Sequence, residues 1–229
     1  MSVTATYDDV EVTIPETAGH SLSSFRHWVQ SDVFPDQGRY TYFQRELYAD
    51  MSPERARSHH NVKARITATL TESVDTHDLG ELLPDGQWIT HDEADLSTEP
   101  DEAFASWETL ESGRLRLIKS IDNEDGIELV GTPDWVLEVV SASSFKKDTQ
   151  ILQGAYHAAG IREYWLVAAR SDVISFKILQ WRQDGYAIAE ATDGWSYSAV
   201  FDREFQLERF RNRIGDWSHR LHLRKRGDS

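Results

Sequence analysis

The stretch DWVLEVVSASSFKKDTQILQGAYHAAGIREYWLVAA, residues 134–169, decides the fold. It holds a valine-rich apolar run, a polar segment, a helix-like segment that ends at Gly160, and a second apolar run. Apolar runs of this length, bounded by polar segments, predict strands in the middle of a sheet. Because a strand, a helix and a strand follow one another, the two strands are predicted to run parallel through a crossover.

Glu138 lies inside the first apolar run, between Leu137 and Val139. Its side chain is therefore expected to be buried. An unpaired ionised carboxylate in such surroundings costs several kcal/mol or more. Glu138 is accordingly expected to be protonated, paired with a cation or bound to a metal.

The rest of the chain predicts more strands and one amphipathic helix. Apolar residues recur at every fourth position of one segment, which predicts a helix packed on a sheet: Val62, Ile66, Leu70 and Val74. Strands are predicted in GRYTYFQRELYADM, QWITH, EAFASWETL and RLRLIKSI, and Asp-Gly pairs at residues 184–185 and 193–194 predict hairpins. The predicted fold class is α/β, with a mixed sheet flanked by helices and a C-terminal antiparallel hairpin.

These patterns divide the chain into three predicted segments. Residues 1–37 show little periodicity and are expected to form a loosely ordered leader with a short helix near LSSFRHWVQS. Residues 38–182 form the core, and residues 183–229 a hairpin extension with a basic tail.

The composition excludes several classes of site. The 229 residues include no cysteine, which excludes thiolate metal sites, thiol catalysis and disulfides and fits a reducing cytoplasm. No stretch approaches 18 consecutive apolar residues, and the N-terminus lacks the features of a signal peptide. The protein is therefore expected to be soluble and cytoplasmic, with no membrane partner.

The charge is unevenly distributed along the chain. The net charge of −15 argues against a large nonspecific nucleic-acid surface. Residues 84–128 carry thirteen acids and three bases, whereas residues 203–226 carry eight bases. Each stretch is either solvated surface or a contact region. If both are contact regions, they would meet different partners.

Three other acids lie near predicted strand ends: Glu46, Asp101 and Asp134. Asp134 shares a strand face with Glu138, but their Cα atoms would lie ~13 Å apart. That separation is too large for joint ligation of Mg²⁺, so Asp101 is the better partner and Asp134 is expected to bind a backbone amide. Alternatively, Asp101 is a turn residue after Pro100, and Glu46 pairs with a surface base.

Basic residues flank the same region. Lys146 and Lys147 follow the strand end, where a cation can hold a water or stabilise developing phosphate charge. They are equally consistent with a surface pair. His59 and His60 precede the amphipathic helix and are either solvent-facing or in contact with a phosphate.

Five motifs occur in the order and near the spacing of a known family: ELYADMSPE, HHNVK, EPDEAFAS, PDWVLEVVSASSFKKD and YHAAGIREYWLV. Over residues 38–182, and more weakly beyond, the chain resembles the Uma-type restriction endonucleases of the PD-(D/E)XK nuclease superfamily. The resemblance implies a restriction-endonuclease-like core that holds Mg²⁺, with Mn²⁺ as a substitute, between carboxylates of adjacent strands.

The resemblance also implies roles for individual residues. Asp101 matches the acid of the first active-site strand, Glu138 that of the second, and Glu46 an acid near the first helix, all as metal ligands. Lys147 would supply an amine from the following helix. The bound metal would activate a water for attack on a DNA phosphodiester, and Glu138 would be ionised because a cation shares its site.

The chain departs from the family pattern at three positions. The superfamily lysine belongs at the position of Val140, many relatives carry another lysine at that of Leu152, and the usual final aspartate of YWLVD is Ala168. A catalytically degenerate domain that binds nucleic acid or a protein partner is therefore an alternative. A carboxylate-pair hydrolase such as a glycosidase is a third hypothesis, without motif support. Cleavage of both DNA strands would favour a homodimer.

Overall fold

The computed structural model describes residues 3–7, 10–51, 59–120, 123–141, 143–169 and 174–227. The α-helices of these residues are α1 (Leu22–Val29), α2 (Asn61–His77), α3 (Trp107–Glu111) and α4 (Leu152–Ala158). A 3-10 turn spans Glu16–Gly19, and a π-helical turn, Lys147–Ile151, leads directly into α4. None of the described helices has the length and apolarity needed to cross a lipid bilayer.

The strands form four sheets. The first half of the described chain contains β1 (Val3–Tyr7), β2 (Val10–Ile14), β3 (Arg39–Phe43), β4 (Glu46–Asp50), β5 (Gly80–Pro84), β6 (Trp88–His91), β7 (Leu96–Thr98), β8 (Glu102–Ser106) and β9 (Leu115–Ser120). The second half contains β10 (Asn123–Gly131), β11 (Trp135–Val139), β12 (Glu163–Ala168), β13 (Ser175–Arg182), β14 (Gly185–Ile188), β15 (Ala191–Thr192), β16 (Trp195–Ser198), β17 (Arg203–Arg211) and β18 (Trp217–Arg224).

The central sheet is mixed, with the order β14-β13-β12-β11-β8-β5. Strands β11 and β12 run parallel, with Glu138 opposite Leu166, and α4 connects them. The other neighbours in this sheet are antiparallel. The predicted crossover and the predicted α/β fold class are confirmed.

Each face of the central sheet has its own core, because successive side chains of a strand point to opposite faces. On one face, Ile66 and Leu70 of α2 pack with Trp165 and Leu137. On the other face, Tyr156 of α4 belongs to a core that also includes residues of a second sheet, β4-β3-β7-β6-β10-β9. Strands β8 and β11 therefore lie between two packed layers.

Helix α1 belongs to a third core. Ser21 caps the helix by accepting a hydrogen bond of 3.1 Å from the Ser24 amide, and Phe25 and Trp28 are buried against Tyr42 of β3. The leader expected before residue 38 thus contains a helix that packs on the segment after it. The physical reason is the aromatic content of the helix, which removes a large apolar area from water.

The C-terminal strands also share a core with the central sheet. The Phe205 ring of β17 lies 4.8 Å from the Trp165 ring of β12, and Leu221 of β18 belongs to the core formed by α2. Strands β15-β16-β17-β18 form an antiparallel sheet. The boundary expected at residue 182 therefore lies within a packed region. The hairpins predicted at the Asp-Gly pairs are present.

One predicted strand is shorter than expected. The segment EAFASWETL forms β8 only as far as Ser106, and α3 follows. Ser106 explains the change, because its hydroxyl accepts a hydrogen bond of 3.3 Å from the Thr109 amide and so caps the helix. Beyond Ser106, the strand prediction was wrong.

Candidate functional site

Asp101 and Glu138 meet in one pocket at the end of β11. Asp101 directly precedes β8, which pairs antiparallel with β11 so that Glu102 lies opposite Leu137. The Val139 amide donates a hydrogen bond of 2.6 Å to Asp101 Oδ2, which ties the two strands together at this point. The pocket is lined by Arg39, Asp50, His59, Asp101, Glu138, Val139, Ser141, Ser144, Lys147 and Asp148.

Asp101 is buried and surrounded by cations. Its Oδ1 accepts hydrogen bonds from Arg39 at 2.7 Å and from Lys63 at 3.1 Å, and His59 Nε2 lies 3.6 Å from Oδ2. Burial by itself raises the pKa of Asp101, but Arg39, Lys63, His59 and the Val139 amide outweigh it and hold the pKa below its usual value. Asp101 is therefore ionised.

Glu138 differs from Asp101, because burial has a larger effect on its pKa than the groups that lower it. Its side chain is buried, with 2% of the residue exposed, and its Oε1 accepts a hydrogen bond of 2.6 Å from the Tyr156 hydroxyl. Burial raises the pKa of Glu138 well above its usual value, and Lys147 and Tyr156 oppose that shift only in part. A cation bound beside Glu138 would therefore favour its ionised form.

Lys147 reaches the carboxylates from the π-helical turn that precedes α4. Its Nζ lies 3.3 Å from Asp148 Oδ1, and its side chain is 13% exposed. Burial lowers the pKa of Lys147, but the neighbouring carboxyls of Glu138, Asp148 and Asp101 outweigh burial, so the pKa is raised. The amine is held as an ammonium group.

Asp148 is a further acid of the pocket, and it lies in the π-helical turn before α4. Its carboxylate accepts a hydrogen bond from the Ser144 hydroxyl, and its backbone amide donates 2.8 Å to the Ser144 carbonyl. Burial raises the pKa of Asp148, with Lys147 opposing. Asp148 therefore positions the Lys147 ammonium.

Glu46 does not join this group. It is exposed at the start of β4, where its carboxylate accepts a hydrogen bond from the Tyr48 hydroxyl. The residue of β4 that lines the pocket is Asp50, at the other end of the strand, which accepts a hydrogen bond of 2.9 Å from Ser143. The structure thus brings together three of the four candidate residues and leaves Glu46 apart.

Asp134 has the structural contacts expected from the sequence. Its Oδ2 accepts hydrogen bonds from the Ser106 amide at 2.8 Å and from the Thr109 hydroxyl at 2.6 Å. It lies just before β11, at the end of the strand opposite to the pocket. Asp134 therefore joins β11 to the start of α3.

The donor set suits a divalent ion bound by few protein ligands. Among the described residues, no group of three or more His, Cys, Asp or Glu side chains has the geometry to hold a metal. Mg²⁺ usually keeps several waters and takes one or two carboxylates together with substrate phosphates. Asp101 and Glu138 supply two such carboxylates, and a cation beside the buried Glu138 would favour its ionised form.

Several residues of the site were not identified as functional from the sequence. Arg39, Lys63 and Tyr156 contact the two central carboxyls, but they come from distant segments. One signal was present: Asp148, Leu152 and Tyr156 recur at every fourth position, which places them on one helix face. No local sequence pattern identifies Arg39, because the pairing of β3 with β4 and β7 is what positions it.

The sequence matches a known family over most of its length. Residues 22–209 match the family model Uma2, described as "Putative restriction endonuclease". The chain belongs to the Uma2 family. The match begins at the first residue of α1 and ends within β17, so it includes the helix that the sequence assigned to the leader. Among curated proteins, no sequence matches this chain.

A solved structure has a similar fold. It is the crystal structure of "a putative nuclease belonging to DUF820" from Anabaena variabilis ATCC 29413. The two chains are 15% identical, the alignment covers 79% of this chain and 90% of that chain, and the TM-score is 0.57. At this identity the likeness shows the fold, and the membership of the Uma2 family supports a nuclease-like function.

Proposed function

We propose that this Uma2 protein is a Mg²⁺-dependent endonuclease that hydrolyses phosphodiester bonds of DNA. The observation that carries the proposal is the convergence of Asp101, Glu138 and Lys147 on one pocket from two neighbouring strands and the following helix. Two carboxylates and an ammonium group at one place supply the charges that phosphodiester hydrolysis requires.

The residues of the pocket would have different roles in the reaction. A bound divalent ion lowers the pKa of a coordinated water and neutralises phosphate charge. Asp101 is already ionised by Arg39 and Lys63, so it offers a carboxylate without losing a proton. Glu138 would hold the ion as a carboxylate after losing its proton to solvent, and Lys147 would present a positive charge to the phosphate.

Metal binding and DNA cleavage test the proposal together. Mn²⁺ and Mg²⁺ are titrated calorimetrically into the wild type, Glu138→Ala and the exposed control Glu72→Ala, and cleavage of supercoiled plasmid is followed with each metal and with EDTA. The wild type and the control are expected to bind metal and cut DNA, whereas Glu138→Ala does neither. Cleavage by Glu138→Ala, or undiminished cleavage in EDTA, would contradict the proposal.

A second candidate function is a catalytically degenerate domain that binds nucleic acid or a protein partner. It is favoured by the contacts of Asp101, since Arg39, Lys63 and the Val139 amide bind both carboxylate oxygens. Val140 and Leu152, at positions where relatives carry lysines, are buried apolar residues. Absence of metal binding even with DNA present, together with a more stable Glu138→Leu variant, would favour this function, because a buried unused acid is a stability cost.

Cleavage of both strands would be expected to involve a twofold-symmetric dimer. Sedimentation velocity with and without duplex DNA measures the oligomeric state. A monomer on a duplex that is cut in both strands would contradict this expectation.

A further inference from the structure

The hairpin of β17 and β18 extends beyond the sheet to which it belongs. Strand β16 pairs with β17 only at Arg203–Phe205, whereas β17 pairs with β18 as far as Arg211. The hairpin therefore continues as a two-stranded ribbon, and we call its residues 209–217 the ribbon tip.

The turn of the ribbon tip is held by side-chain and backbone hydrogen bonds. Asn212 Oδ1 accepts hydrogen bonds from the Ile214 amide at 3.0 Å and the Asp216 amide at 2.9 Å, and the Asn212 amide donates 2.8 Å to the Asp216 carbonyl. Arg211 donates a hydrogen bond of 2.9 Å to the Gly215 carbonyl. The turn thus presents its neighbouring side chains in a defined arrangement.

The ribbon tip is basic in an acidic protein. It carries Arg209, Arg211 and Arg213 against one acid, Asp216, on a chain of net charge −15. The guanidinium carbons of Arg209 and Arg211 lie 4.0 and 3.5 Å from the centre of the Trp217 ring. A guanidinium that stacks on an indole keeps its N–H donors in the plane, where they can meet phosphate oxygens.

Other arginines of the same sheet are neutralised by acids. Arg224 Nε donates 2.7 Å to Glu204, and Glu208 lies within 2.8 Å of His222 and 3.9 Å of Arg220. At the ribbon tip, Arg211 donates instead to the uncharged Gly215 carbonyl. The positive charge of Arg211 is therefore not compensated in the way that the charges of Arg220 and Arg224 are.

Contacts with α2 place the ribbon tip at the end of that helix nearest the candidate site. His219 Nδ1 lies 3.4 Å from Asn61 Oδ1, and Asn61 is the first residue of α2. His59, two residues earlier, lies 3.6 Å from Asp101 through its Nε2. Trp217 lies two residues before His219 along β18, on the side of the ribbon tip.

We propose that the ribbon tip binds the phosphate backbone of duplex DNA next to the site of cleavage. The proposal rests on the proposed function, since it concerns how the substrate of that site is held. A two-stranded β-ribbon fits the major groove of B-DNA, and arginines supply the phosphate contacts. Because guanidinium groups cover the Trp217 ring, stacking of unpaired bases on that ring is disfavoured, and a duplex is the better fit than a single strand.

Fluorescence anisotropy with a labelled DNA duplex of about two helical turns, in EDTA, measures binding without cleavage. The variants are Arg211→Gln, Arg213→Gln and their double substitution, and the control is Arg220→Gln, which removes the same charge from the same hairpin. The double variant is expected to bind about tenfold or more weakly, with a salt slope lower by about two, whereas the control changes little. Melting temperatures confirm that all four variants are folded.

The outcomes separate this proposal from the proposed function. Equal affinities of the double variant and Arg220→Gln, tighter binding of a single strand of the same length, or no DNA binding by the wild type would overturn the role of the ribbon tip. Metal-dependent hydrolysis of bis(p-nitrophenyl) phosphate, which is too small to span both regions, should be equal in the wild type and the double variant. Loss of that hydrolysis in Glu138→Ala reports on the active site alone.

Discussion

The Tyr156 hydroxyl donates a hydrogen bond of 2.6 Å to Glu138 Oε1, which joins α4 to β11 at a point where both side chains are buried. The bond leaves the other carboxylate oxygen for a further ligand. Since hydrogen bonds to a carboxylate favour its charged form, Tyr156 lowers the pKa of Glu138, although burial remains the larger effect. The tyrosine therefore orients the carboxyl and makes it easier to ionise.

Tyr156→Phe is expected to weaken metal binding several-fold at neutral pH, because Glu138 then ionises less readily. It should also cost about 1–2 kcal/mol of unfolding free energy, since a buried acceptor loses its donor. Isothermal titration and urea unfolding measure the two effects. Tyr164→Phe is the matched control: its hydroxyl is also buried but donates to the Asp148 carbonyl at 2.8 Å, so it should lose stability without an equal loss of metal affinity. Equal affinities of Tyr156→Phe and the wild type would refute the role of Tyr156.

Metal affinity is expected to rise with pH. Burial raises the pKa of Glu138, so below that pKa a proton competes with the cation for the carboxylate, and above it the competition ends. The affinity should therefore increase by up to about tenfold per pH unit while Glu138 is mostly protonated. Titrations at several pH values, in pairs of buffers with different ionisation enthalpies, measure both the affinity and the protons released. An affinity that is constant with pH, with no proton released, would show that Glu138 is ionised before the metal binds.

Glu102 is expected to make the folded protein less stable as the pH rises towards 8. Burial raises the pKa of Glu102 to about 8 from an ordinary value of 4.5, with Asp101 adding to the shift. The Thr67 hydroxyl and the Lys63 ammonium group lower the pKa of Glu102, but burial outweighs them. Because the folded state keeps the proton to higher pH than the unfolded state, stability falls between about pH 4.5 and 8, by up to about 1.4 kcal/mol per unit.

Glu102→Gln removes this titration, so the variant should gain stability relative to the wild type as the pH rises from 5 to 9. Thermal unfolding across that range checks the prediction. Glu72→Gln, which changes an exposed carboxylate of α2, should follow the wild-type profile. Parallel profiles for wild type and Glu102→Gln would mean that Glu102 is already ionised in the fold.

Lys63→Met is expected to destabilise the protein by about 2–4 kcal/mol, because it removes one of two cations from a buried ionic cluster. Lys63 and Arg39 each contact both Asp85 and Asp101, at distances from 2.7 to 3.1 Å. Urea unfolding measures the loss, and Lys177→Met, which changes an exposed lysine of β13, should alter stability by less than about 0.5 kcal/mol. A loss no larger than that of the control would show that Arg39 alone compensates Asp101.

Local patterns in the sequence were sufficient to predict the elements that carry the site. The valine-rich run around Glu138, the helix after it and the second apolar run predicted the parallel pair β11 and β12. The apolar residues at every fourth position of α2 likewise predicted its buried face. These signals succeed because burial and periodicity are properties of neighbouring residues in the chain.

The residues that escaped prediction depend on contacts between distant segments. Arg39 meets Asp101 across 62 positions, and Lys63 meets it across 38, so neither partnership has a local pattern. Glu46 and Asp50 lie at opposite ends of β4, and only the position of that strand beside the pocket shows that Asp50 reaches it. The ribbon tip is a similar case, because its basic composition does not reveal the pairing that extends it beyond β16.

The positions of Val140 and Lys147 have a consequence for how such proteins are recognised. Val140 packs in the core two residues beyond Glu138, while Lys147 brings its ammonium group to the same pocket from the turn before α4. A sequence-pattern search that requires a lysine two residues after Glu138, at the position of Val140, would miss this chain. A comparison of side-chain positions in space would find it. The charged residues of this pocket are therefore related by their positions in space and not by a fixed spacing along the sequence.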